Sequence, residues 1–76
     1  MSEPIVKKAF QLMAYRCYKD ALDKQMESLE SEIKDLQNEE LKALLMRELL
    51  RVTAVNIGAT RRTEVLNLEL NRLLEE

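Results

Sequence analysis

Apolar residues recur at helical spacing along the whole chain, and no stretch alternates as a strand would. From Leu22 to Leu36 the pattern is narrowest: Leu22, Met26, Leu29, Ile33 and Leu36 lie four, three, four and three residues apart. That is the a/d seam of a coiled coil, and the charged residues around it, such as Asp23, Lys24, Glu27 and Lys34, form a solvated face. A seam this narrow needs a second helix laid along it. Upstream, Val6, Phe10, Met13, Cys17 and Ala21, with Ile5, Ala9 and Leu12 beside them, form a wider stripe that runs into the seam near Leu22. This stripe is expected to be core. Ser2-Glu3-Pro4 is a helix start, because proline costs nothing in the first turn, and no breaker follows before Gln37. One helix over residues 4–36 is predicted, about 50 Å long.

At Leu36-Gln37-Asn38 a tight helix–helix turn is predicted. Asn38 is a good N-cap, and Glu39 and Glu40 suit the positive end of a helix dipole. Beyond it a heptad line runs Leu45, Leu49, Val52, Asn56, Ala59, Thr63, Leu66, Leu70 and Leu73. The line passes through Gly58, which favours a continuous or kinked arm. The weak helix formers from Val52 to Thr60 favour instead a break there, giving helices of about 39–57 and about 61–75. The fold class is therefore all-α: a long antiparallel hairpin of two to three helices, with its second arm kinked or broken near Gly58.

Nearly equal arms around Gln37-Asn38 place residue i opposite roughly 75−i. The second arm then has apolar side chains to spare. With Leu45, Leu49 and Val52 facing the first arm, Met46, Leu50, Ile57 and Leu68 project away, and Leu44 adds to them. These five are the expected protein interface, and a homodimer closing into a helical bundle would cover them. Asn56 sits on the seam, where a buried Asn can pair with its symmetry mate; the expectation here is the plainer one, that it faces water beside Gly58.

Composition narrows the function. The chain has 76 residues, enough for one small domain, with fourteen leucines, no Trp, one Gly and one Pro, so the core is aliphatic and there is no glycine-rich phosphate cradle. Without His and with a single Cys, neither a zinc site nor a Cys–His nucleophile is expected. The carboxylate pairs Glu39/Glu40 and Glu75/Glu76 fall at turn or terminal positions with no sign of the burial that acid–base chemistry would need. No catalytic residue, cofactor or metal is expected, and the protein is not expected to be an enzyme. Cys17 is expected to be structurally buried, and a lone thiol fits a reducing, cytoplasmic location. No signal peptide or membrane span is expected.

The net charge of −2 argues against a general polyanion binder, though residues 27–40 are strongly acidic and the flanks slightly basic. One polar group stands out. Arg16 and Lys19, beside Tyr15 and Tyr18, fall level with Arg61 and Arg62 in the hairpin and could hold an anion or a nucleic acid. The expected role is plainer: amphipathic side chains covering the bundle's flank.

Asn67-Leu68-Glu69-Leu70-Asn71 resembles the Ser-Gln-Glu-Leu-Asp motif of the Spo0E-type aspartyl-phosphate phosphatases, which are short helical hairpins. Asn71 replaces the final acid of that motif, so the resemblance implies a degenerate relative without the activity. Ala14-Tyr15-Arg16 and Arg47-Glu48-Leu49-Leu50-Arg51 are similar to parts of the LYR-type mitochondrial adaptors, with the leading Leu absent. The function expected from the residues themselves is a non-enzymatic interaction module, a small regulator, adaptor or assembly subunit. Its partner is itself, another protein, or both. The alternative is a small nucleic-acid-binding helical dimer.

Overall fold

The computed structural model describes residues 2–75 and contains two long helices, α1 (Glu3–Asp35) and α2 (Glu39–Glu75), packed as a hairpin measuring 57 × 14 × 13 Å. Met1 and Glu76 lie outside the described residues, Glu76 being half of the terminal carboxylate pair.

The ends of the helices follow their local chemistry. Ser2 takes the extended N-cap conformation without a side-chain bond, and Pro4 sits in the first turn, where its missing N–H breaks no helical bond. At the other end Leu36 leaves the helix in an extended conformation, while its N–H still closes the last turn onto Glu32 and Ile33. Asn38 caps α2 as predicted: its Oδ1 accepts from the Leu41 N–H at 3.1 Å, and Glu39 and Glu40 occupy the first turn.

The second arm is one helix. α2 runs unbroken through Gly58, which keeps a negative φ, so the separate helices of about 39–57 and about 61–75 are a single element. The weak helix formers are overridden by their partners. Val52 and Ala59 are buried against α1 with Val55 packed beside them. Thr53 and Thr63 donate their hydroxyls back to the Leu49 and Ala59 carbonyls at 2.7 and 2.8 Å, so neither leaves an unmet polar group.

The α2 heptad line from Leu45 to Leu73 is buried or half-buried at every position, as its spacing predicts. On α1 the outcome differs. The seam from Leu22 to Leu36 continues towards the N-terminus as Ile5, Lys8, Leu12, Tyr15, Lys19 and Leu22, each three or four residues from the next. The stripe expected to be core points outward instead: Phe10 is 66% and Met13 58% exposed, and Cys17 and Ala21 are exposed too. The reason is Lys8 and Lys19. Each lays its alkyl stem along the seam and places its ammonium on an acid, Lys8 on Glu69 at 2.6 Å and Lys19 on Asp23 at 3.1 Å.

A polar layer crosses the hairpin near its middle. Asn56 Nδ2 donates to Asp23 Oδ1 at 2.7 Å, and Thr60 Oγ1 donates to Asn56 Oδ1 at 3.3 Å. Asn56 therefore faces neither water nor a symmetry mate; it bonds across its own hairpin. The two interhelical pairs also correct the register. A rule of 75−i would set Lys8 against position 67 and Asp23 against position 52, whereas their partners are Glu69 and Asn56. The two pairs lie two and four residues beyond that rule, about one helical turn at most.

Two sets of consequences follow for stability. Leu66 and Val52 are 0% and 1% exposed, so alanine at Leu66 should cost about 2–4 kcal/mol and at Val52 somewhat less. Gly58→Ala should instead stabilise the isolated hairpin by about 1 kcal/mol, because within the single chain a Cβ there meets no atom within 4 Å and the backbone is already helical. Denaturant titration at fixed protein concentration checks both signs.

Asp23 and Glu69 are held below the ordinary carboxylate range, Asp23 mainly by the Asn56 bond and then by Lys19, Glu69 mainly by Lys8. A depressed folded-state pKa contributes stability above the unfolded-state value and loses it as pH falls through the folded-state value. Melting temperature should therefore drop below about pH 4. Glu69→Gln should flatten that acid limb, and an unchanged limb would show that the pair contributes nothing.

Candidate functional site: the outer faces of the hairpin

The hairpin buries little and exposes much. Five apolar residues are buried among those described, whereas thirteen large hydrophobic side chains remain exposed, so much of the chain's apolar surface is left outside its own core. The exposed residues are not scattered. Most of them lie on two helix faces and at the bend.

The first face belongs to α2. Successive helix positions are separated by about 100°, which puts Met46, Leu50, Ala54, Ile57 and Leu68 within one sector nearly opposite the seam. Leu50 is 71% exposed and Leu68 61%, values a core position would not show. Four of the five residues expected at the interface, Met46, Leu50, Ile57 and Leu68, are thus brought onto one stripe. Leu44 is not. It turns towards the bend, where with Leu36, Leu41 and Leu45 it lines an open apolar concavity edged by Glu32 and Asp35.

A second face, missed in the sequence as a surface, is the outer side of α1. Val6, Ala9, Phe10 and Met13 line a shallow apolar depression, and Cys17 continues the same line. The signal that separates it from the seam is the unbroken three-four spacing back from Leu22 through Lys19 and Lys8. Both positions carry charge, which hid them in a search for apolar periodicity.

The basic group is only in part free of other contacts. Arg16, Arg61 and Arg62 are exposed, and Lys19 is half-buried with its ammonium on Asp23. Arg61 and Arg62 diverge by about 100° around α2. Arg61 lies on the outer apolar stripe, and Arg62 lies close enough to Glu69 to help depress that carboxyl. The remaining ion pair, Arg51 with Glu48, joins successive turns of one helix and lowers the Glu48 pKa by hydrogen bonding. Among the described residues no group of three or more His, Cys, Asp or Glu side chains is arranged to hold a metal ion. Among the described residues no helix is long and apolar enough to cross a membrane.

Exposure of Cys17 corrects the expectation of burial and can be checked directly. A maleimide should label the native protein at a rate close to that of an unfolded control, with no loss of helicity. Labelling only in denaturant would return Cys17 to the interior.

Comparison with protein-family models, characterised proteins and solved structures returns no match.

Proposed function

We propose that the chain is a non-enzymatic helical interaction module, a small regulator, adaptor or assembly subunit that works by offering preformed apolar helix faces to other helices. One observation carries this: α2 has a second apolar line, Leu50–Ala54–Ile57, set opposite the one that binds α1 and exposed along its length. A helix needs only one apolar stripe to hold a hairpin together; a second is costly in water unless something covers it. Because the helix is already held by α1, a partner gains the apolar contact without the chain first having to order, which favours binding. An exposed, unpaired thiol suits a reducing compartment, and the proposal places the protein in the cytoplasm.

A photo-crosslinking amino acid at position 50, introduced in the native host, tests the proposal. Ultraviolet exposure should yield protein–protein adducts, and Ile57→Glu should abolish them while leaving the helicity of the hairpin unchanged. If position 50 yields no protein adduct, or if photo-crosslinkers at Arg61 and Arg62 recover nucleic acid instead, the module proposal fails.

A further inference from the structure

The outer face of α2 carries more than apolar residues. Ala43, Arg47, Leu50, Ala54, Ile57, Arg61, Glu64 and Leu68 are spaced four, three, four, three, four, three and four residues apart, and every one is exposed. This is a complete second heptad line on a helix whose first line is already filled by α1. We propose that this line binds the same line of a second copy, antiparallel, so that two hairpins join back to back through α2. The inference rests on the interaction-module proposal and names the helix that the module receives.

The order of residues selects both the partner and the direction. The line reads symmetrically about the point between Val55 and Asn56. An antiparallel copy brings Ala54 against Ile57 of the second copy, Ala43 against its Leu68, Leu50 against the aliphatic stem of its Arg61, and Arg47 against its Glu64. Each contact occurs twice by the two-fold symmetry. Small residues meet large ones at the two apolar layers, and opposite charges meet at the ionic layer. A parallel copy would instead stack Arg47 on Arg47, Arg61 on Arg61 and Glu64 on Glu64, three like-charge layers.

Three further observations agree with this. Neither Arg47 nor Glu64 forms an ion pair within the described residues, whereas the seam lysines are both engaged. The symmetry point lies within two residues of Ile57, the centre of the helix Glu39–Glu75, so the two copies overlap over almost all of α2. The contact from position 43 to position 68 then extends over about 38 Å. Finally, Gly58 beside Ile57 serves no packing need in the hairpin, since a Cβ would meet nothing within 4 Å. With Ala54 it forms a low centre on the outer face where a second backbone can approach closely.

Charge reversal across a dilution series, read by sedimentation equilibrium, tests the arrangement. The unmodified chain should be a dimer. Arg47→Glu and Glu64→Arg should each weaken self-association about tenfold or more, because each turns two attractive contacts into two repulsive ones. The double variant R47E/E64R should recover the original association. An equimolar mixture of the two single variants should form a heterodimer, since each supplies the charge that the other lacks. Circular dichroism on every variant establishes that the hairpin is intact.

A chain monomeric throughout the series overturns the inference, and so does a dimer indifferent to the single reversals or a double variant that is not rescued. Failure here is separable from failure of the module proposal. A monomeric chain that still crosslinks at position 50 to a different protein sinks only the self-pairing. A chain that crosslinks to no protein sinks both.

Discussion

The bond between Asn56 and Asp23 is the constraint on which the alignment of this molecule depends. Aliphatic heptad lines specify that two helices should pack, but they specify axial position weakly, because a slip of one heptad exchanges one leucine-like side chain for another. Here a slip would break the bond between Asn56 and Asp23, the one polar contact of this layer that joins the two helices. Asp23 accepts from Asn56 at 2.7 Å and from Lys19 at 3.1 Å, and Asn56 accepts from Thr60; of these three bonds only the one between Asn56 and Asp23 crosses from one helix to the other and depends on register. Lys8 and Glu69 repeat the device towards the open end of the hairpin. The ionic contacts are too exposed to add much stability. Their effect is on which alignment wins, and that alignment places the outer faces at a defined height relative to one another.

The same distribution of polar residues explains why so small a chain leaves so much apolar surface uncovered. A two-helix hairpin has one interface, and among the described residues only Leu12, Leu22, Val52, Ala59 and Leu66 are buried apolar ones. Polar residues at seam positions reduce that interface further, while leucines, methionines and a phenylalanine stand on the outside. A chain selected only to fold as a monomer would gain by exchanging these positions, moving Phe10 and Leu50 inward and the seam lysines outward. The arrangement makes sense if the outer faces have work of their own, with the inner seam giving up some stability to hold them in position.

Much of the fold could be read from the residues, and the parts that could not share one cause. The bend at Gln37-Asn38, the cap at Asn38 and the α2 line from Leu45 to Leu73 all rest on local chemistry or on uninterrupted apolar spacing, and all are present in the structure. The outward position of Met46, Leu50, Ile57 and Leu68 was legible for the same reason: two apolar lines on one helix cannot both face α1. Cys17 and its neighbours were misassigned because apolar character outweighed strict three-four spacing, so a stripe with Phe10 and Met13 looked more core-like than a line containing Lys8 and Lys19. The acid that engages Lys8 is far away in sequence, Glu69 being 61 positions on, although Lys19 finds Asp23 four residues away on its own helix. Asn56 was misjudged likewise, since nothing near it in the chain points to Asp23. Leu44 could be seen as outward-facing, but its place in the bend concavity depends on how Leu36 leaves α1.

The two heptad lines of α2 invite comparison, because they solve one problem at different places. Both are interrupted by polar residues, and in both the interruptions mark direction. On the inner line the polar residue Asn56 meets an acid that the other arm supplies, and covalent connection at the bend already guarantees that the arms are antiparallel. On the outer line no connection exists, so direction must be written in the side chains themselves. The line does this with Arg47 and Glu64 placed at equal distances from its centre, attractive when a copy is reversed and repulsive when it is not. A purely apolar outer face would bind any amphipathic helix in either sense. Charges placed symmetrically, around a centre of Ala54, Ile57 and Gly58, confine the choice to a helix with the same residues in the opposite order, which is the condition that α2 meets with itself.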